Sequence, residues 1–426
     1  MLLLPLMLAC DSSGPSEQDV APPEDTAVRA DRDDTGAEFI PDNGDTAGDD
    51  TDDTGDTDDT GDTTAEAEAE AKYQAFYNPA VVQVVELELA ADAMQSLRRD
   101  PFTYVEGSAT INGERFDPVG IRLKGSSSYQ GFDGKPAFKV KLNAYVPGQK
   151  YAGLERVTLN NMVGDPTQSK EMIGYALWTQ MGMLVPRVSY ARVSLNGELH
   201  GLYTNLEAMD DHLLDRHYGD GSGDLWEGND SADFSRRGLS HFELVTGIGD
   251  YAALETVKAT LNGAPTDAFL EEADTVIDMD SFLDFWAYSI AIGNEDGYPY
   301  NLNDYFVYRE VGDERFDFAP WGMDESWDTA MDWSAVSGSV AEGCLDDDDC
   351  VTALYEHTAN AILAYEAMDM ESWALGVWEL SEPLLEEDLR RPYSVGEVIA
   401  ARTTLLTRIS AWPARVREQM GLPDPG

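Results

Sequence analysis

Residues 294–324 read NEDGYPYNLNDYFVYREVGDERFDFAPWGMD, and the interpretation of the whole chain starts from this stretch. Asp296 and Asn301 stand in D-x-x-x-x-N spacing, and Asp324 follows a short apolar strand. In phosphoryl-transfer enzymes one carboxylate receives the proton of the acceptor hydroxyl, while an Asn and an Asp hold Mg²⁺ against the nucleotide phosphates. The stretch therefore predicts either a site of this kind or, in a chain so rich in Asp, a capped turn with solvated acids.

The segment that precedes this stretch, Met279–Ile292, is strongly apolar and predicts a buried helix. Such a helix would carry the stretch into the interior of the domain. This placement favours a position for Asp296 in the wall of a cleft.

Composition excludes some classes of partner. The 426 residues suffice for one large domain or two smaller ones, and the formal net charge is −53. Residues 1–71 hold 22 acidic and 2 basic residues, so the remaining chain is strongly acidic as well. This charge argues against binding to nucleic acid or anionic lipid, and it favours cationic partners, divalent metals or a salty medium.

The first ten residues, MLLLPLMLAC, are apolar but too short to span a bilayer. They are typical of the end of a bacterial lipoprotein signal in which Cys10 carries the lipid, and a truncated ordinary secretory signal is the alternative. Both interpretations predict export. The first places the protein in the bacterial cell envelope, attached to the membrane through Cys10 only.

Residues 11–72 contain DTGDTDDTGDT and AEAEAEA, with few large apolar side chains. Such a segment cannot bury enough surface to offset its chain entropy, so we expect a disordered acidic tether. The Asp and Gly spacing resembles calcium loops without the closing Glu of an EF-hand, which leaves weak calcium-dependent scaffolding as an alternative.

From residue 73 the chain becomes globular, and two Asn-Gly pairs, at 112–113 and 196–197, predict β-hairpins. Between them, the Gly/Ser-rich segment Gly125–Gly134 precedes a strand on which Lys139 and Lys141 alternate with apolar residues. Backbone NH groups and hydroxyls followed by lysines suit a phosphate site. A hairpin with a solvated lysine face is the alternative.

Three further residues carry predictions. Glu207 ends the second hairpin and could pair with a phosphate-binding lysine or cap the next helix. Cys344 and Cys350 are near neighbours in a chain predicted to be exported, which favours a disulfide that staples a loop; a metal site in the Asp run between them is the alternative. The sequence contains no H-E-x-x-H, zinc-ligand cysteine spacing or G-x-S-x-G motif.

Taken in order, four segments of the chain resemble the CotH kinase family, an atypical protein-kinase-like group. They are IRLKGSSS with KPAFKVKL, LNNMVGDPTQSKEMIGYALWTQMG with VPRVSYARVSLNGELHGLYTNLE, NEDGYPYNLNDYFVY, and FDFAPWGMD. The resemblance spans residues 81–328. It implies an α+β, atypical kinase-like fold for residues 73–426, with an N-lobe built on an antiparallel sheet (about 80–207) and a helical C-lobe (about 208–420).

The resemblance also implies a function: transfer of phosphate from ATP, with Mg²⁺ or Mn²⁺, to Ser or Thr of a Ser/Thr-rich protein at or outside the cell edge. We expect a monomer that binds no nucleic acid. The implied roles are Asp296 as catalytic base, Asp324 and Asn301 as metal ligands, Glu207 as the residue that orients a lysine, Lys139 or Lys141 as that lysine, and Lys124, Ser126 and Lys135 as further phosphate contacts. Asn303 or Asp304 is the alternative to Asn301.

Two departures from the family pattern bear on activity. Gly322 stands where many members carry an Asp, and Ala208 stands where a basic residue often follows the hairpin Glu. A noncatalytic cell-surface binding or adhesion protein that keeps the kinase-like fold is therefore the alternative function.

Overall fold

The structure is a computed structural model that describes residues 62–235, 237–327 and 331–423, with the side chains of residues 62–66 left out. The predictions for the signal, for Cys10 and for most of the tether lie outside the described residues. The strands are β1 (Val82–Glu88), β2 (Val105–Ile111), β3 (Glu114–Lys124), β4 (Ala137–Lys141), β5 (Arg156–Asn160), β6 (Val188–Leu195), β7 (Glu198–Leu206), β8 (Asp224–Gly228), β9 (Phe242–Thr246), β10 (Tyr305–Arg309) and β11 (Asp317–Pro320).

The helices connect these strands and form most of the C-terminal part of the domain. They are α1 (Asp62–Phe76), α2 (Ala91–Arg99), α3 (Lys170–Gln180), α4 (Asp211–Tyr218), α5 (Tyr251–Gly263), α6 (Phe269–Ala273), α7 (Met279–Ile292), α8 (Tyr298–Asn301), α9 (Ser339–Leu345), α10 (Asp348–Ala367), α11 (Met370–Glu387) and α12 (Val395–Met420). None of the helices in the described part of the chain is long and apolar enough to cross a membrane.

The N-terminal half is a closed barrel with the strand order β1-β2-β3-β4-β5-β7-β6. Its neighbours pair antiparallel except β1 and β6, which run parallel and close the barrel. The two predicted hairpins are confirmed as β2–β3 and β6–β7. Both turn residues of each pair have positive φ, 48° and 87° at 112–113 and 52° and 79° at 196–197, as a type I′ turn requires.

A second sheet, in the order β11-β10-β8-β9, lies in the C-terminal half among the helices. The predicted buried helix is confirmed as α7, with the Asp278 side chain capping its first turn and Gly293 ending it in the left-handed conformation. Its apolar residues pack into the core of the C-terminal half. The α+β class, with antiparallel-rich sheets and a helical C-terminal part, is therefore confirmed.

We predicted disorder as far as residue 72, but the helix α1 begins at Asp62, so the prediction is wrong for residues 62–72. Tyr73 and Phe76 at the end of this helix are fully buried and belong to the barrel core. The Glu/Ala repeat is polar, but the aromatic residues that follow it supply the packing that holds the helix in place. The globular domain therefore includes α1.

The predicted disulfide is confirmed between Cys344 and Cys350, with an S–S distance of 2.04 Å. It joins α9 to the start of α10, and both cysteines are buried in the core of the C-terminal half. The expectation that it staples a loop rather than a core is therefore wrong.

Candidate active site

A cavity of about 1160 Å³ lies between the barrel and the second sheet. Its barrel side is formed by the end of β3, the loop that follows, and the segment from Asn160 to Glu171. Its opposite side is formed by the end of β8 and by the residues that follow α7 and β11. Asp296, Asn301 and Asp324 all line this cavity, as do Lys124 and Ser126.

Asp296 lies just beyond the C-terminal end of α7 and is held by amide side chains. The Asn301 side-chain amide donates to Asp296 Oδ1, and Asn303 Nδ2 lies 3.5 and 3.4 Å from the two carboxylate oxygens of Asp296. The Asp296 backbone NH donates to Asn294 Oδ1 at 3.3 Å. The D-x-x-x-x-N spacing thus corresponds to a direct contact, made because the short helix α8 turns the chain back on itself.

Asp324 follows β11 on the same side of the cavity. Partial burial raises the pKa of its carboxyl group, and the neighbouring carboxylates of Asp165 and Asp296 raise it further. Lys170 Nζ donates to the Asp324 backbone carbonyl at 2.8 Å, which fixes the chain at this point. Three acidic side chains therefore converge here from distant parts of the sequence.

The basic side of the cavity centres on Lys124, the last residue of β3. Its Nζ donates to Asn160 Oδ1 at 2.7 Å, and Asn160 Nδ2 donates to Glu171 Oε1 at 2.7 Å. Glu171 lies in the first turn of α3 and is buried. Burial raises its pKa to about 7, Asp324 adds to the rise, and the Asn160 hydrogen bond and the Lys124 charge oppose it. Glu171 was not among the residues predicted from the sequence, where its only signal is a glutamate in the first turn of the helix that follows β5.

Glu207, which was predicted to orient a phosphate-binding lysine, contacts other residues instead. Its carboxylate accepts from Arg216 Nη2 at 2.9 Å, from the Arg187 backbone NH at 2.8 Å and from the Tyr73 hydroxyl. Burial raises the pKa of Glu207 to about 7, and Arg216 opposes the rise. These contacts contradict the predicted pairing with a lysine.

Three of the predicted lysines do not line the cavity in the described part of the chain. Lys135 is buried, and its Nζ pairs with Asp388 at 2.7 Å, so a phosphate contact there is contradicted. On β4, Lys139 and Lys141 pair in register with Arg122 and Gly120, whereas Ala137 pairs with Lys124. Lys139 and Lys141 therefore lie two and four residues beyond Ala137, which is at the end of β4 nearest the cavity. Lys124 is the better candidate for the lysine that contacts phosphate.

A model of the family described as CotH kinase protein matches residues 121–376 of this chain. This chain belongs to the CotH kinase family. It is 24% identical over 350 residues to the inner spore coat protein H of Bacillus subtilis (strain 168), covering 75% of this chain and 90% of that relative. A solved structure, the Helicobacter pylori proinflammatory kinase CtkA, aligns with 71% of this chain and 97% of its own at 12% identity and a TM-score of 0.30.

Gly322 is one of the two positions at which this CotH kinase family member departs from the family pattern, and another carboxylate lies beside it. Gly322 has φ of 57°, and a Cβ built there would lie 2.0 Å from Asp304 Oδ2. The Asp304 carboxylate thus occupies the space beside the backbone that a side chain at position 322 would need. The cavity therefore has a carboxylate at this point, although it belongs to the residue just before β10 and not to the segment after β11.

The family implies a divalent metal, and the side chains of the cavity fit one. Mg²⁺ takes oxygen ligands and is commonly held by one or two carboxylates together with substrate phosphates. Oxygen donors of this kind line one side of the cavity, namely Asp296, Asn301, Asp304 and Asp324. Burial is the main cause of the raised pKa of Asp324, and the neighbouring carboxylates, whose repulsion a cation would relieve, add to it.

Among the described residues, no group of three or more His, Cys, Asp or Glu side chains is arranged to hold a metal by itself. An ion at this point would therefore depend on amide and nucleotide oxygens as well as on carboxylates.

Proposed function

We propose that this CotH kinase family member transfers phosphate from ATP to Ser or Thr of a protein substrate, with Mg²⁺ or Mn²⁺. The observation that carries the proposal is the arrangement of side chains around this cavity. A lysine tied to a buried glutamate through Asn160 faces the same space as Asp296, Asn301 and Asp324. This pairing of a cationic side with an acidic side is what nucleotide-dependent phosphoryl transfer requires.

The roles follow from where the groups lie. Asp296, oriented by the Asn301 amide, would accept the proton of the acceptor hydroxyl. Lys124 would contact the phosphates, with Asn160 and Glu171 holding its ammonium group in position. Asp324 and Asn301, with Asp304 as the alternative second ligand, would hold the metal, which when bound neutralises charge on the phosphates.

The loop after Lys124 would bind the triphosphate through its backbone and through Ser126. A Cβ built at Gly125, where φ is 110°, would lie 2.8 Å from Ser128 Oγ, so the loop is tight at its first residue. Successive NH groups in such a turn favour anionic ligands.

The experiment compares purified full-length protein with its Asp296→Ala variant. We expect ATP with Mg²⁺ or Mn²⁺ to raise the melting temperature of both proteins. Wild type should transfer phosphate to Ser or Thr of a Ser/Thr-rich protein, and the variant should lose about 10²–10⁴-fold in rate, as when a general base is removed. Asp280→Ala, which removes an exposed carboxylate of α7, is the control and should keep full activity.

Absence of any metal-dependent nucleotide binding by wild type would reject the proposal. A noncatalytic binding or adhesion protein on the same fold would then be the remaining function.

We further propose that the protein is exported and held at the cell envelope by a lipid on Cys10, on the strength of the MLLLPLMLAC start. A Cys10→Ala variant should leave the membrane fraction for the soluble one, and unchanged fractionation would reject the anchor.

A further inference from the structure

Residues 377–420, beyond the part of the chain that the family model matches, form the second half of α11 and all of α12. The turn between these helices, residues 388–394, lies against the barrel. Its side chains reach the two loops that border the cavity. The contacts made by this turn indicate that it holds these loops in place, a role that family membership alone does not suggest.

The carboxylate of Asp388 sits in a site built for it. It is fully buried, and its Oδ2 accepts from Lys135 Nζ at 2.7 Å and from the Leu202 backbone NH at 3.1 Å. Gly201 has φ of 115°, and a Cβ built there would lie 2.1 Å from the Asp388 carboxyl carbon. Any other residue at 201 would therefore displace the carboxylate, and the glycine is required by this close approach.

The contact continues from Lys135 to the cavity. Asn161 Nδ2 donates to the Lys135 carbonyl at 2.8 Å and to the Ser128 carbonyl at 3.0 Å. Both Asn161 and Ser128 line the cavity. Asp388 is thus linked to the Gly/Ser-rich loop by one lysine and one asparagine.

Arg390 holds the other end of the same loop. Its Nη1 donates to the Phe132 carbonyl at 3.0 Å and to the Gly134 carbonyl at 2.9 Å. Its Nη2 pairs with Glu198 on β7 at 2.7 Å. The turn therefore fixes the loop at two points, and both attachments come from one short piece of chain.

The same C-terminal helices also hold the loop before α3. Arg402 Nε donates to the Thr167 carbonyl at 3.0 Å, the Tyr393 hydroxyl donates to the Val163 carbonyl at 2.8 Å, and Trp378 Nε1 donates to Ser169 Oγ at 2.8 Å. Val163 and Ser169 line the cavity. Both loops on the barrel side of the cavity are therefore attached to α11, α12 or the turn between them.

We propose that Asp388 is a positioning residue for nucleotide binding: through Lys135 and Asn161 it holds the loop of residues 125–134 in the shape that receives the triphosphate. The inference rests on the proposed function for the nucleotide itself. Without the Asp388 charge, the Lys135 ammonium would be left buried and uncompensated, which is strongly unfavourable. Lys135 would move away and carry the loop with it, so nucleotide affinity would fall while acceptor binding stays the same.

The test uses the full-length protein with Asp388→Asn and a matched control, Asp347→Asn. Asp347 is also a buried residue, and its carboxylate accepts from the Leu270 and Asp349 backbone NH groups at 3.0 and 2.8 Å, within the helical part of the domain. Amide hydrogen exchange of residues 125–134 and the dissociation constant for ATP with Mg²⁺ are measured for wild type and both variants.

We expect Asp388→Asn to speed exchange in residues 125–134 and to weaken ATP binding about tenfold, the loss typical of one charged hydrogen bond. The KM for ATP should rise and the KM for the protein acceptor should not. Asp347→Asn should lower the melting temperature and change neither loop exchange nor ATP affinity. Unchanged loop exchange in a folded Asp388→Asn protein would overturn the inference.

The two failures can be told apart. If wild type binds no ATP, the proposed function fails, and exchange of residues 125–134 still decides whether Asp388 positions the loop. If Asp388→Asn does not fold, Arg390→Ala replaces it, since Arg390 is partly exposed at its Glu198 contact. Arg390→Ala should speed exchange at 132–134, Arg390→Lys should restore it in part, and a wild-type exchange rate in Arg390→Ala would count against the inference.

Discussion

Glu171 and Glu207 are two buried glutamates whose pKa values are raised to the same level, although their surroundings differ. Burial is the main cause in both, and it raises each pKa to about 7. Glu171 reaches Lys124 through Asn160 in the cavity wall. Glu207 lies where β7 ends and is held by Arg216, by the Arg187 backbone and by Tyr73 of α1.

The difference shows that a perturbed carboxyl group is not by itself a functional one. The donors to Glu207 all belong to the folded framework, and through their hydrogen bonds its carboxyl group holds α1 and α4 to the barrel. The Asn160 side-chain amide bonds to both Glu171 and Lys124, and Lys124 faces the cavity. The Asp324 carboxylate repels that of Glu171. We interpret Glu207 as a structural residue and Glu171 as part of the candidate active site, and three measurements can sharpen or break this contrast.

The largest expected effect is on stability. Glu207→Ala leaves the partly buried Arg216 and the Arg187 NH without their partner, so we expect the free energy of unfolding to fall by about 3–5 kcal/mol. Denaturant unfolding measures this loss. Glu171→Ala, the matched change, should cost less because the Asn160 amide that donates to Glu171 is uncharged, whereas Arg216 is a charged partner of Glu207. An equal or larger loss there would contradict the contrast.

The second effect is on the pH dependence of stability. Each glutamate binds its proton more tightly when folded, because its pKa rises from 4.5 to about 7. The stability that each contributes is therefore present below about pH 4.5 and is lost as the pH rises to about 7, by up to about 3 kcal/mol.

Unfolding curves of Glu171→Gln and Glu207→Gln at several pH values measure this effect, and each variant should lose less stability than wild type over that range. Glu366 provides a control of opposite sign, since the Arg417 hydrogen bond lowers its pKa. Wild type should therefore lose stability relative to Glu366→Gln as the pH falls. Identical pH profiles for wild type and both glutamate variants would show that neither group is perturbed.

The smallest effect is on catalysis. Glu171→Gln replaces the carboxyl group that accepts from Asn160 and so disturbs the Lys124–Asn160 pair, and we expect kcat/KM for ATP to fall about tenfold, equal to about 1.4 kcal/mol. Glu207→Gln, assayed at a temperature where it is folded, should stay within about twofold of wild type. Steady-state kinetics at several ATP concentrations measures both, and the reverse order of the two variants would exchange their assignments.

Local signals in the sequence predicted several elements correctly. The apolar run of α7 and the two Asn-Gly turns depend on residues that are adjacent in the chain, and so does the pairing of Cys344 with Cys350. The contact between Asp296 and Asn301 is also local, since Asn301 ends the four-residue helix α8 and Asp296 stands just before that helix. Patterns of this range are set by backbone preferences and side-chain periodicity.

The lysine and glutamate assignments failed for a different reason. Lys124 ends β3 at the cavity, whereas Lys135 is drawn to Asp388, which lies 253 positions further along the chain. Glu207 is bound by Arg216 and by Tyr73, 134 positions before it, at the end of the helix α1 whose first residues we had expected to be disordered. The spacing of residues within one strand or loop cannot predict partners that lie so far apart in the sequence.

By itself, the sequence determined the helix before the acidic stretch, the hairpins, the disulfide and the family. Closure of the barrel by β1 and β6, the choice of Lys124 and Glu171, and the Asp304 carboxylate beside Gly322 were decided only by the tertiary structure. The physical reason is that a buried charge needs a partner of opposite charge or a hydrogen bond within a few ångströms, and in this fold such partners come from chain segments far apart in sequence.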